Sequence, residues 1–251
     1  MVSLENNPLA LKGQQFINAI KEYNATGTLP GNFMENVLDR LHIRDGYMLD
    51  VLEYGNRMGG RSRFYAHKVE TKGIYKGDFE RGNIYNKNIL ASFFSGKPRE
   101  DYFVPEYSDD MVIDGELSNM AEKRIPDIQE YLSFSFTEEA IWQLFLVDIG
   151  DTVLRLFWHG GYNKRTFFFD KRSFINFEHK EVAPFADSED VIPKVEINGD
   201  NTAVVKCCFW NDWMGLCIED VVAEYSDGKV SFDRDKSRLT TLVPYDCKIR
   251  F

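Results

Sequence analysis

The sequence lacks long apolar runs and any recognisable export signal. No stretch of the 251 residues approaches the roughly 20 consecutive apolar residues that a helix needs to cross a bilayer. The first eight residues show no basic segment followed by an apolar one, which a secretory signal peptide requires. We therefore expect a cytoplasmic protein that makes no use of a membrane.

Cysteine is scarce, with four residues that all lie in the last fifth of the chain. Cys207 and Cys208 are adjacent in a strand-like run, so their side chains should point to opposite faces of a sheet. This favours buried, reduced thiols over a disulfide framework. The Cys-x-x-Cys spacing of zinc sites is absent, and we predict neither a metal nor a cofactor.

The common catalytic motifs are also missing. The chain has no Walker motif, no Gly-x-Gly-x-x-Gly, no Gly-x-Ser-x-Gly and no His-Glu-x-x-His. No family signature surrounds Cys207, Cys208 or Cys217, although one of them could act as a nucleophile with His159 or His179 as its base. Buried thiols explain the same residues without any chemistry.

Aromatic and apolar residues are plentiful and indicate an ordered globular fold, at 14% and 43% of the chain. They are densest between residues 136 and 170, which predict a helix over 137–147 and two strands over 153–158 and 166–169. A segment containing Gly160-Gly161 would join these strands as a hairpin. We predict that the junction between helix and sheet is formed by Trp142, Phe145, Leu156, Trp158 and Phe168.

The remaining patterns predict helices first and strands later. Apolar spacing and caps predict helices over 8–23, from residue 32, and over 46–54, then a strand over 61–69. A helix kinked at Pro126 is expected over 117–132, and a loop over 182–193. Five strands should follow, over 203–209, 216–225, 229–233, 239–243 and 246–251.

These elements predict an α+β fold, with an N-terminal helical layer and a mostly antiparallel C-terminal sheet packed on the central helix. The late strands are too close in sequence for the crossovers that parallel pairing needs. The Asp227-Gly228 pair is typical of a two-residue hairpin turn. Residues 1–100 and 101–251 form two regions that are either separate domains or parts of one.

Charge is unevenly distributed over a molecule with a net charge of −10. Residues 54–100 carry ten Lys/Arg against four Asp/Glu, a balance of +6. Residues 105–139 carry two against ten, or −8, and residues 178–200 two against seven, or −5. Such a pattern suggests a polarised surface or self-complementary packing, and it opposes non-specific binding of nucleic acid.

Three candidate sites follow. His159-Gly160-Gly161 with Asp148 and Asp151 could form a hydrolase site, or the glycines could simply turn a hairpin. Basic and aromatic residues interleave over 57–99, which could bind nucleic acid or form a solvated strand face. Adjacent acids such as Glu219-Asp220 are expected on solvated faces or in the first turn of a helix.

The third candidate is the segment Trp210-Asn211-Asp212-Trp213, at the end of one predicted strand. Two tryptophans beside an acid could anchor a basic protein, or they could be buried at a sheet corner. The acidic residues Asp109, Asp110 and Glu116 would assist such binding.

The sequence thus favours a non-catalytic binding protein that captures a basic protein partner, as bacterial toxin-neutralising immunity proteins do. This likeness is one of composition only. The alternatives are the hydrolase that uses His159 and a nucleic-acid binder that uses residues 57–99.

Overall fold

The computed structural model describes residues 3–56, 59–69, 127–154, 157–158 and 164–245. Within these residues the α-helices are α1 (Pro8–Thr26), α2 (Phe33–Val37), α3 (Glu138–Asp148), α4 (Gly150–Val153) and α5 (Lys171–Ile175). The strands are β1 (His42–Ile43), β2 (Tyr47–Asn56), β3 (Gly59–Lys68), β4 (Leu132–Ser133), β5 (Phe157–Trp158), β6 (Thr166–Phe167), β7 (Lys194–Ile197), β8 (Thr202–Asn211), β9 (Gly215–Ser226) and β10 (Lys229–Val243). Short 3-10 turns occupy Leu4–Asn6, Ile128–Tyr131, Lys180–Asp187 and Glu189–Val191.

The first helix forms as its sequence predicts. The Asn7 side chain accepts a hydrogen bond from the backbone N–H of Ala10 at 2.9 Å, and Pro8 occupies the first helical position. Phe16, Ile20 and Tyr23 are buried along one face of α1.

The central helix α3 is buried on all sides. The Thr137 hydroxyl accepts a hydrogen bond from the Ala140 N–H at 3.3 Å and caps the helix. Every residue from 140 to 147 is buried, which matches an apolar run that has no polar face. The Trp142 ring stacks on Phe145 and meets the edge of Phe169, each at a centroid distance of 5.6 Å.

The largest sheet is antiparallel throughout and confirms the predicted fold class. Its strand order is β10-β9-β8-β6. Strands β6 and β7 pair with different parts of the same edge of β8, β7 near the start of that strand and β6 near its end. The turn between β9 and β10 has Asp227 at φ 53° and Gly228 at φ 79°, the left-handed pair that a type I′ hairpin requires. The two strands predicted over 229–233 and 239–243 form one strand, β10, with a register shift between Asp233 and Arg238.

Two predictions about local structure are wrong. Residues 46–54 are not a helix, because residues 47–54 belong to β2, which pairs with β3 along its length. Residues 153–158 and 166–169 do not form a hairpin, since β5 pairs with β3 and β6 pairs with β8. Pairing with distant strands overrides the local turn pattern.

Two further segments differ from expectation in part. Of the helix expected over 117–132, residues 117–126 lie outside the described residues, 128–131 form a 3-10 turn and 132–133 form β4. The expected loop over 182–193 contains most of two 3-10 turns. The strand expected over 246–251 lies outside the described residues.

Two hydrophobic cores lie on opposite faces of β8. The larger core joins α1, α3 and the sheet, and its residues range along the sequence from Leu9 to Val230. Residues 1–100 and residues 101–251 therefore both contribute to it. The smaller core contains Phe168, Phe174 and Trp210. Cys207 lies in the larger core and Cys208 in the smaller one, which confirms that the adjacent thiols point to opposite faces.

The predicted junction of helix and sheet is divided between these cores. Trp142 and Phe145 lie in the larger core, whereas Phe168 lies in the smaller one. Leu156 and the side chain of Trp158 lie outside the described residues. None of the helices in the described ranges is long and apolar enough to cross a membrane.

Candidate functional site

The segment between β8 and β9 forms a tight corner that the Asn211 side chain organises. Asn211 Oδ1 accepts a hydrogen bond from the Trp213 N–H at 2.9 Å. Asn211 Nδ2 donates to the carbonyl of Lys164 at 3.2 Å and so ties the corner to the segment before β6. The backbone then re-enters the sheet at Gly215, which has a φ of 89°.

The two tryptophans of this corner have different environments. Trp210 is 2% exposed and lies in the smaller core, so it is not the surface anchor that the sequence suggested. Its indole Nε1 donates a hydrogen bond to Asp212 Oδ1 at 2.8 Å. Asp212 is exposed, and Trp213 is 36% exposed. The accessible part of the predicted site is therefore Asp212 and Trp213, and Trp210 holds the acid in place.

Residues far away in the sequence complete this corner. The His179 ring stacks on Trp210 with a centroid distance of 4.2 Å and an interplanar angle of 17°. Tyr245 packs against both rings, at 4.5 Å from His179 and 5.0 Å from Trp210. Glu181 Oε1 lies 3.7 Å from His179 Nδ1 and adds a second carboxylate. We call Asp212 and Trp213, with the supporting Trp210, His179 and Glu181, the acidic corner.

Sequence reasoning did not place His179 or Tyr245 at this corner. Both residues come from segments without a regular apolar pattern, and only the folded chain brings them onto Trp210. The one available signal was the rare His179 within an acidic stretch, residues 178–200.

The residues proposed for a hydrolase are only partly described. His159 lies outside the described residues, and Asp151 is half-buried within α4. The carboxylate of Asp148 accepts a hydrogen bond from Arg234 Nη2 at 2.7 Å. Burial raises the pKa of Asp148 despite the opposing effect of Arg234. Asp148 therefore forms an ion pair with Arg234.

Asp148 belongs to a chain of charged groups that runs across the sheet. The Oε2 atom of buried Glu219 accepts two charged hydrogen bonds, from Arg165 Nη1 at 2.6 Å and from Arg234 Nη1 at 2.8 Å. The Arg165 guanidinium also lies over the Phe209 ring at 4.2 Å from its centroid. Glu219 is 5% exposed, so the expectation that it lies on a solvated face is wrong. Its neighbours in β9, Ile218 and Asp220, gave no sign that two arginines would reach it.

The three described thiols are free and buried, and they are poorly suited to nucleophilic chemistry. Burial raises the pKa of Cys207, of Cys208 and of Cys217 above the usual range for a thiol. Cys247 lies outside the described residues. The buried-thiol interpretation accounts for Cys207, Cys208 and Cys217.

A cleft opens between α1, the segment leading into β6, and α5. Its volume is about 480 Å³, which falls within the range of small-molecule sites. Four cationic side chains line it, from Lys21, Lys164, Arg165 and Arg172, with one carboxylate, from Asp170. We call this space the cationic cleft; no pattern in the sequence predicted it, because its cations are spread over three elements.

The other predicted residues lie largely outside the described part of the chain. This holds for Asp109, Asp110 and Glu116, and for most of the basic segment 57–99, of which the structure describes only 59–69. Among the described residues, no group of three or more His, Cys, Asp or Glu side chains is placed to hold a metal ion.

Comparison with known proteins adds no relative to this description. No protein-family model, no curated protein and no solved structure matches this chain.

Proposed function

We propose that this chain is a cytoplasmic binding protein that captures a basic protein partner at the acidic corner, in the manner of a toxin-neutralising immunity protein. The observation that carries the proposal is the exposure of Trp213 directly beside a carboxylate that Trp210 fixes by a hydrogen bond of 2.8 Å. A large aromatic side chain next to an ordered acid is typical of the residues that dominate protein interfaces.

The rigidity of the corner supports this proposal. The backbone around Trp213 is held by Asn211, and the carboxylate of Asp212 is held by Trp210. Because these groups are already ordered, little conformational entropy remains to be lost when a partner binds.

The charge near the corner favours a basic partner. Glu181 belongs to the stretch of residues 178–200, whose balance is two Lys/Arg against seven Asp/Glu, or −5. The stacking of His179 on Trp210 places the beginning of this stretch against the corner. A local acidic field accelerates encounter with a basic protein and loses strength as salt is added.

Photo-crosslinking from chosen positions of this chain identifies the partner and shows which surface it contacts. A photo-crosslinking amino acid is introduced at Trp213 and, as a matched control, at Ile197, which is 37% exposed on β7. We expect a basic protein to be crosslinked from position 213 and not from position 197. Equal crosslinking from both positions, or an acidic protein captured at 213, would contradict the proposal.

Binding kinetics with the identified protein then test the roles of the two residues. Trp213→Ala should weaken the affinity by about 2–4 kcal/mol, mainly through faster dissociation. Asp212→Asn keeps an oxygen for Trp210 and removes the charge, so it should slow association at low salt. Asp227→Asn, in the exposed turn between β9 and β10 and outside the 178–200 stretch, should not. If the purified chain instead turns over a small substrate and His159→Ala abolishes this activity, the hydrolase alternative replaces the proposal.

A further inference from the structure

We infer that the cationic cleft binds a small organic anion, a phosphate monoester carried on an aromatic body of mononucleotide size. This site adjoins the acidic corner, because Phe177 packs against Trp210 at 5.4 Å and the carbonyl of Lys164 accepts a hydrogen bond from Asn211. The inference does not depend on the proposed function. It rests on the shape of the cleft, on the balance of charge inside it and on the elements that supply its cations.

Apolar and charged residues both line the cleft. Ile17, Ile20, Val153, Phe167 and Phe168 supply apolar surface, and the half-buried ring of Phe177 lines one side. A volume of about 480 Å³ is larger than an inorganic phosphate needs and fits an aromatic ring system with one charged group. The apolar surface therefore favours an organic ligand over a simple ion.

The charges that line the cleft are strongly unbalanced, with four cations against one carboxylate. Arg165 is already paired with Glu219 at 2.6 Å, but Lys21, Lys164 and Arg172 have no carboxylate partner among the described residues. The single acid, Asp170, accepts a hydrogen bond from the Ser173 N–H at 2.6 Å and caps α5. Three exposed cations around one cleft, in a molecule with a net charge of −10, leave a local site for negative charge.

The number of cations that line the cleft favours a phosphate monoester over a singly charged anion. Lys21 comes from α1, Lys164 from the segment before β6, and Arg172 from α5, so three separate elements contribute cations to the lining of the cleft. A phosphate monoester carries up to two negative charges and three free oxygens, so it balances three cations better than a singly charged carboxylate does. A long nucleic acid is disfavoured because its many phosphates would meet the acidic remainder of the molecule.

Calorimetric titration of the full chain at constant ionic strength tests the inference, with adenosine monophosphate, adenosine and inorganic phosphate as probes. We expect adenosine monophosphate to bind, inorganic phosphate to bind more weakly, and adenosine to show no measurable binding. The double variant Lys21→Ala/Arg172→Ala should weaken binding of the monophosphate by at least about tenfold, because it removes charged hydrogen-bond donors. Arg238→Ala, which removes an exposed cation from β10 outside the cleft, should leave the affinity unchanged.

Each opposite result overturns the inference. Absence of binding by adenosine monophosphate removes the site, and equal binding of adenosine removes the role of the cations. An unchanged affinity in the double variant places the ligand elsewhere. Thermal melting confirms that the double variant is folded; if it is not, Lys164→Ala provides the same comparison at one exposed residue.

Discussion

Glu219 illustrates how one buried side chain can hold together groups from several elements. Its Oε2 atom accepts hydrogen bonds from both Arg165 and Arg234. Arg234 also forms an ion pair with Asp148 at the end of α3. We expect Glu219→Gln to lower the free energy of unfolding by about 2–3 kcal/mol, less than for a wholly buried ion pair because both arginines reach water. Urea denaturation followed by circular dichroism gives this difference.

A second acid on the same strand provides the control. Glu224 pairs with Lys236 at 2.7 Å, and both side chains are well exposed. Glu224→Gln should therefore cost less than about 1 kcal/mol. Similar losses in the two variants would show that the Glu219 network contributes no more than a surface pair.

At this scale the sequence predicts local interactions well and distant ones poorly. The caps at Asn7 and Thr137 and the turn at Asp227-Gly228 were predictable, because each depends on neighbours within a few residues. The partners of Glu219 and the stacking of His179 on Trp210 were not, since they depend on how separate elements meet.

At the scale of the element, the turn into β9 depends on a glycine in a confined place. A Cβ atom added at Gly215 would lie 1.9 Å from the carbonyl oxygen of Val243, at the end of β10. Gly215→Ala combines a left-handed backbone with this overlap, so we expect it to lower the free energy of unfolding by about 3 kcal/mol or more. Thermal or urea denaturation measures the loss.

Gly228 is the matched control for this prediction. Its φ of 79° is close to that of Gly215, but an added Cβ meets nothing within 4 Å. Gly228→Ala should cost about 1–2 kcal/mol, which represents the backbone strain alone. Equal effects of the two substitutions would mean that the end of β10 moves aside at little cost.

Helix α1 and strands β8 and β9 were predictable as elements because their patterns are long. Residues 46–54 are the exception. Their apolar residues are so frequent that the spacing fits a helix as well as a strand. In β2, Leu49 and Val51 are buried, whereas Met48 between Tyr47 and Leu49 is 42% exposed. The alternation becomes visible only once the pairing with β3 is known.

For the whole molecule, the buried thiols predict how stability depends on alkaline pH. Burial raises the pKa of Cys207, Cys208 and Cys217 in the folded state, whereas an unfolded thiol ionises near pH 8.5. Above that pH the unfolded chain binds fewer protons than the folded one, so the free energy of unfolding falls as pH rises. Each thiol contributes up to about 1.4 kcal/mol per pH unit.

Urea denaturation between pH 7 and 10 tests this dependence. Other groups also titrate in that range, so the comparison is between the wild-type chain and Cys208→Ala. The variant should show a shallower decline, because one of the buried thiols is missing. Parallel declines would indicate that Cys208 ionises equally in the folded and unfolded states.

Because β8 separates two hydrophobic cores, each core can come away from the strand independently during a transient opening of the protein. Cys207 and Cys208 are neighbours in the chain, yet each is sealed within a different core. A thiol reagent can reach either one only when its own core separates from the strand. The order in which the two sulfurs are modified, resolved by fragmentation mass spectrometry, would therefore reveal which face of the sheet is released first during a transient opening.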